Sequence, residues 1–321
     1  TSTKKTSGDK SHLFTKFIKK FKGKNNSTNN IGLTLQNVSN DKYLKLYKIK
    51  TDLVDYEIDS LESTLSFSRE TNKSFLGARA SLYETLKNDY NDKYEYVLPD
   101  IILDRNLISN EKVGSLDLQA NLKVHNYDTN KFEKFFINDL DWKFRKFNFP
   151  SGLESQILGK FKNVNYEAKN TNEYKDDTTS EIFGALGYLT KLNLFKKSKN
   201  STDQLLTPKL LLRYAPGQMR KDFNDATKLN NLNIFSLDRL NSYNNFENGL
   251  SATVGFDYDL RAFDKELDLS VGQVINHKEN KDMPSSTSLD KKLSDLVGSS
   301  TLKLNGNMNL LYNFKLDQNY K

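Results

Sequence analysis

"SLDLQANLKVH", Ser115 to His125, is the stretch on which the fold turns. Leu116, Leu118, Ala120, Leu122 and Val124 alternate with Ser115, Asp117, Gln119, Asn121, Lys123 and His125. Successive side chains of an extended strand point to opposite sides, so this period of two makes one face apolar and the other wet. Leu118 and Leu122 are expected to face lipid, and Gln119 and Lys123 to face a lumen.

The same period recurs in Leu61, Ser63, Leu65 and Phe67, and in Phe246, Asn248, Leu250, Ala252, Val254, Phe256 and Tyr258. It returns in Leu302, Leu304, Met308, Leu310, Tyr312, Phe314 and Leu316. Helical periodicity is hard to find. Reading each run as a strand predicts about fourteen, with approximate limits 11–22, 30–39, 58–69, 73–86, 94–104, 113–127, 131–147, 153–167, 180–195, 204–215, 246–260, 265–276, 293–304 and 308–319. Many match or exceed the roughly 9–11 residues of a tilted strand crossing a bilayer, where globular strands usually have roughly five or six. The expected fold is all-β, an antiparallel transmembrane β-barrel, with residues 1–321 forming a single segment of a large barrel.

The connections carry a second signal. "RETNK" at Arg69, "NFPSG" at Asn148, "RAFDK" at Arg261 and "NGN" at Asn305 are short, whereas 40–57, 169–180, 216–245 and 278–292 are long. In strand order the two kinds fall at opposite ends, with "DTN" at Asp128 as the exception on the long side. Outer-membrane barrels have this asymmetry of short periplasmic turns and longer outside loops. In the longest connection Leu232, Ile234, Phe235, Leu237 and Leu240 make an apolar portion that water disfavours. That portion is expected to fold back over the barrel mouth while the Asn-rich flanks, with Asn224 and Asn244, stay in water. The preceding stretch, "LLTPKLLLRYAPGQMRK" from Leu205 to Lys221, reads as a strand whose Pro208 fits near an end or a bulge but not in mid-ladder. A buried strand of a soluble sandwich is the alternative reading of that stretch.

Composition bounds the class. Aromatic residues make up 12% of the chain, too many for disorder, although only 36% is hydrophobic. No run approaches the roughly 18 consecutive apolar residues of a membrane helix. With no cysteine there is neither disulfide nor thiolate chemistry. "TSTKKTSGDK", Thr1 to Lys10, is charged but has no apolar core after it and does not read as a signal peptide. A net charge of +7 suits nucleic acid, an acidic membrane surface or a phosphorylated glycolipid, and equally a merely solvated basic surface.

Bond-making chemistry is hard to place. His12, His125 and His277 are far apart, without partners at metal-ligand spacing, and no phosphate loop, HExxH or GxSxG is present. Asp257 with Asp259, and Asp264, Glu266 and Asp268, have i, i+2 spacing that lines one strand face near a short turn. They read as wet-face residues, with a carboxylate site as the alternative. "FTKFIKKFKGK" from Phe14 and "WKFRKFNFP" from Trp142 mix bases and aromatics as single-strand nucleic-acid surfaces do. The second adjoins the short turn at Pro150, where a barrel has its aromatic girdle, and nucleic acid is not expected as a partner. No catalytic, cofactor-binding or metal-binding residue is assigned, ligand-binding residues are unknown, and neither enzyme activity nor a cofactor is expected.

One set of motifs carries a resemblance. "LLTPKLLLRYAPGQMRK", "NIFSLDRLNSYNNFENGLSATVGFDYDL" from Asn233 and "LDLSVGQVINHKENKDMPSSTSLDKKLSDLVG" from Leu267 give, in order, TP-x-L-x-x-R-Y, DR, E-x-G-x-x-x-x-x-G-x-x-Y and S-x-G-Q. This order resembles the barrel domain, in its central part, of the LPS-assembly protein LptD family, also called the organic solvent tolerance proteins. "NVSNDKYLKLY" from Asn37 and "YEYVLPDIIL" from Tyr94 resemble earlier barrel segments, so the similarity spans nearly the whole chain. The resemblance implies a bacterial outer-membrane translocon that inserts lipopolysaccharide into the outer leaflet. It implies as partners an LptE-like lipoprotein plug, outer-membrane lipid and a periplasmic bridge protein that delivers lipopolysaccharide through an N-terminal jellyroll. The jellyroll and the terminal barrel strands are not recognisable here, so gate residues do not transfer. A porin-like or passive barrel channel is the alternative with the same strand pattern.

Overall fold

Alternation becomes pairing along almost the whole chain. The computed structural model describes residues 11–87, 92–128, 130–197, 202–221, 228–304 and 308–317. Its strands are β1 (His12–Lys22), β2 (Thr28–Val38), β3 (Ser60–Glu70), β4 (Ser74–Thr85), β5 (Tyr94–Asn110), β6 (Gly114–Tyr127), β7 (Lys131–Lys143), β8 (Phe147–Asn148), β9 (Leu153–Lys169), β10 (Thr179–Leu192), β11 (Leu194–Lys197), β12 (Asp203–Ala215), β13 (Gly249–Arg261), β14 (Lys265–Asn276), β15 (Leu296–Leu304) and β16 (Met308–Leu316). They form one antiparallel sheet in the order β1-β2-β3-β4-β5-β6-β7-β9-β10-β12-β13-β14-β15-β16, with β8 beside β9 and β11 beside β12. Among the described residues fourteen strands lie on that path, as the alternation predicts. No helix among the described residues is long and apolar enough to cross a membrane. The readings of Thr1–Lys10, the Asn305 turn and residues 318–319 lie outside the described residues.

Several strand limits differ from expectation by three residues or more: β7 ends at Lys143 rather than 147, β10 at Leu192 rather than 195, and β15 starts at Leu296 rather than 293. β5 continues to Asn110 rather than 104, and its alternation changes phase near its start. Arg79 pairs with Asp100 but Ser81 pairs with Val97, so β5 holds one residue more than β4 there. Such a bulge moves the apolar series from Tyr94, Tyr96 and Leu98 to Ile101 and Leu103. β13 starts at Gly249 rather than 246, so Phe246 and Asn248 are not strand residues. Phe246 continues the alternation by coincidence and is buried in the preceding loop instead.

Against expectation Pro208 sits in the middle of β12, opposite Phe256 in an unbroken register with β13, and the interruption falls on its other side. Lys191 faces Lys209 and Leu194 faces Leu206 in the same register, but the neighbouring strand is interrupted between β10 and β11, opposite Thr207 and Pro208. A proline has no N–H for the ladder, and the gap lies where that donor is missing. Thr207 Oγ1 donates to Asn193 Oδ1 across the gap at 3.3 Å.

The residues group into two compact units, 1–106 with 118–138 and 163–181, and 107–117 with 139–162 and 182–321. In the first, Glu62, Thr64, Ser81, Tyr83, Glu95 and His125 share a polar face. Thr64 and Ser81 hydroxyls lie 3.2 Å apart, Tyr83 donates to Glu62, and His125 Nε2 lies 2.6 Å from Glu95 Oε1. Alternation then puts Gln119 and Lys123 with His125, and Leu118 and Leu122 on the opposite face. The connection between β2 and β3 carries the short helix α1 (Tyr43–Tyr47), whose Leu44 is buried with Val38, Val54, Leu61 and Leu86. In the second unit, Ala252, Val254, Phe256, Tyr258 and Leu260 register with Ile275, Gln273, Val271, Leu269 and Leu267 on one face. The other face holds Ser251, Thr253, Gly255, Asp257 and Asp259.

Candidate functional site

The long connection between β12 and β13 lies on the polar face of the second unit. Strand glycines make room for it. Gly255 faces Gly272 across β13 and β14, and a Cβ at Gly272 would come within 2.9 Å of Ile234 Cδ1 and 3.3 Å of Phe235 Cε2. At Gly187 on β10 an added Cβ would meet Leu237 Cδ2 at 2.5 Å. Ile234, Leu237 and Leu240 are buried as the apolar series predicts, but against mid-strand positions rather than only over a rim. Leu232 departs from the series and is 87% exposed. Valine at Gly272 should cost about 1–3 kcal/mol through overpacking, read as a lower urea midpoint in detergent; an unchanged midpoint would show that the loop is not seated there.

Around this contact lies a cluster of buried charge. Arg213 points from β12, while Arg239 and Glu247 come from the loop, and all three are buried. Arg239 grips the Glu247 carboxylate with two nitrogens, Nε at 2.8 Å to Oε2 and Nη2 to Oε1. The same guanidinium donates to Thr253 Oγ1 at 3.3 Å and Ser251 Oγ at 2.9 Å, fastening the loop to β13. Arg213 donates to the carbonyls of Leu237, at 2.7 Å, and Glu247, and its guanidinium stands over the Phe246 ring. A second group joins Lys162 of β9 to Asp139 of β7 and Asp238 of the loop, each at 3.7 Å, and Lys162 also donates to the Ser242 carbonyl. Burial disfavours the Glu247 anion, but Arg213 and Arg239 outweigh it and hold that carboxyl below its usual range. At Asp238 burial prevails over Lys162 and Lys160 and pushes the carboxyl up. Outside the cluster, Lys209 bonds Asp257 at 2.6 Å and sits over the Phe235 ring at 4.6 Å.

The flanks of the loop are less wet than expected. Asn245 is buried, accepting from the Arg220 backbone and donating to its carbonyl, and the Asn244 carbonyl accepts from the Arg220 side chain. Each of these carbonyl and amide groups finds a partner that holds it out of water. Asn241 is exposed, and Asn224 lies outside the described residues. The connection between β14 and β15 joins the same core: Met283 and Leu289 pack with Met219, Leu229, Ile234, Leu240, Val274 and Val297. Asn280 bonds Asn248 across the two loops at 2.8 Å.

The residues singled out in sequence do not assemble into a reaction centre. His12 lies 3.2 Å from the Tyr43 hydroxyl, His125 pairs with Glu95, and His277 begins the β14–β15 connection. Asp259 and Asp268 face each other, both beside Arg261, while Glu266 bonds Lys303. Asp257, Asp259, Glu266 and Asp268 each have a cation beside them, and Asp264 is exposed in the turn before β14. Trp142 meets Phe144 edge-on and Phe144 contacts Phe147, an aromatic run beside the short turn at Pro150. The buried trio Arg213, Arg239 and Glu247 escaped notice as a cluster, although each sits inside a quoted motif: R-Y, DR and E-x-G.

Comparison with known proteins agrees with that motif order. The family described as LptD, LPS transport system D, matches residues 19–321. No curated protein matches the chain.

Proposed function

This chain belongs to the LptD family, the outer-membrane component of lipopolysaccharide transport, and from that premise we propose how its parts divide the task. Its cargo, lipopolysaccharide, is an amphiphile and needs two environments at once. The polar face suits its sugars and phosphates, and the apolar face suits contact with outer-membrane lipid. The β12–β13 loop then acts as a fixed cap at the long-loop end, so that cargo leaves sideways instead of passing straight through. The observation that supports this reading is the docking of that loop through Arg239, Glu247 and Lys162 onto β9, β12 and β13. The chain transports and has no catalytic role in this reading. Carried over from the family resemblance, its partners are an LptE-like lipoprotein plug and a periplasmic bridge protein that hands over cargo through a jellyroll domain.

A fixed cap makes a definite prediction. The chain has no cysteine, so a Gly187→Cys, Leu237→Cys pair can be oxidised without background. Locking the loop to β10 should leave the arrival of new lipopolysaccharide at the cell surface unchanged. A block on oxidation, relieved by reductant, would show instead that the loop must lift for each cargo molecule.

A further inference from the structure

The apolar face of the second unit has a depression of about 530 Å³, lined by Leu116, Leu140, Trp142, Phe161, Leu186 and Tyr214. Its floor exists because β9 presents Gly159 and β10 presents Gly184 there. A Cβ at Gly159 would meet the Trp142 ring at 3.2 Å and Leu186 at 3.7 Å, so the glycine opens a slot between two large side chains. Large apolar residues make most of the surface around it: Phe161, Leu186, Leu212 and Tyr214 are all exposed. In an outer-membrane barrel this face meets bilayer lipid, and the slot is continuous with that surface.

Beside the slot lies a basic turn. Trp142 Nε1 donates to the Val113 carbonyl at 3.2 Å, and a Cβ at Gly114 would lie 2.9 Å from the Arg145 nitrogen. The β5–β6 turn and the end of β7 are therefore in contact, which brings Lys112 and Arg145 to one place. Both are exposed, and neither forms an ion pair among the described residues. The Arg145 guanidinium rests 5.1 Å from the Phe147 ring centre, a pose that keeps a cation at an apolar boundary.

We propose that this slot and turn form a binding site for an anionic glycerophospholipid of the surrounding bilayer, its acyl chain over Gly159 and Gly184 and its phosphate against Lys112 and Arg145. The site is separate from the cargo path on the polar face. It rests on the membrane placement of the sheet and not on the role of the loop, so either can fail without the other. Bound lipid would fill the dent in the wall and anchor the short-turn end at the membrane boundary.

The chain's single tryptophan, Trp142, lines the slot, so its fluorescence reports this site alone. The protein is reconstituted in phosphatidylcholine vesicles containing equal mole fractions of either brominated phosphatidylglycerol or brominated phosphatidylcholine. Two unpaired cations should enrich the anionic lipid about fivefold or more at the site, seen as stronger quenching by brominated phosphatidylglycerol. The Lys112→Gln, Arg145→Gln variant, altered only in exposed turns, should quench equally with both lipids. Gly159→Leu, which fills the slot, should reduce quenching by either. Equal quenching of the unaltered protein, or a preference that survives loss of both cations, would overturn the proposal. Relief of the preference by added lipopolysaccharide would overturn it too, by giving the slot to the cargo.

Discussion

Replacing Glu247 by glutamine is expected to lower the unfolding free energy by about 3–5 kcal/mol. Glu247 is buried between Arg213 and Arg239, and its carboxylate takes two donors from Arg239. Without the anion, two guanidinium groups remain out of water beside each other. Neither can shed its charge at ordinary pH, so both must regain water, and the loop must come away from β13 for that to happen. Urea unfolding in detergent measures the loss, and faster proteolysis between Pro216 and Asn248 marks its location. The Arg239→Met, Glu247→Gln double variant should lose less than the sum of the two single losses, because the pair acts as one unit. A loss below about 1 kcal/mol for Glu247→Gln would mean that water reaches the cluster and that the loop is not held by it.

Arginine at Leu118 should cost about 2–4 kcal/mol if the position lies near the bilayer midplane, while arginine at Gln119 should cost little. The two residues are neighbours in β6 and differ only in face. Gln119 lies on the side where His125 meets Glu95, and Leu118 on the side opposite. A charge on the lipid side has no water within reach except by stretching to an interface, whereas one on the wet side keeps its hydration. Folding titrations in lipid vesicles for both variants give the comparison. Equal costs would remove the assignment of faces.

Much of the fold was legible because its main force is local. Each strand has to offer one side to lipid and the other to water, so its period of two is written into about ten residues without help from a partner. Where a partner strand intrudes, legibility fails. The bulge that sets Val97 against Ser81 and Asp100 against Arg79 changes the phase of β5; Pro99 marks the spot in "YEYVLPDIIL", but only the pairing with β4 shows that one residue is left over there. Pro208 is the intermediate case: the residue demanded a break, and only its neighbour showed that the break falls between β10 and β11.

The sequence by itself determined the all-β class, the fourteen strands, the apolar and wet sides of β6 and the alternation of short turns with long loops. Its motif order led to the family that residues 19–321 match. Tertiary structure alone decided what the longest loop does. Charges such as Arg213, Arg239 and Glu247 are exposed by default, since burying any one of them unpaired is prohibitive. They become buried only when strand and loop bring donors and acceptor within hydrogen-bond reach of one another. That condition depends on the positions of residues 34 apart in the chain, as Arg213 and Glu247 are, and no local period encodes it.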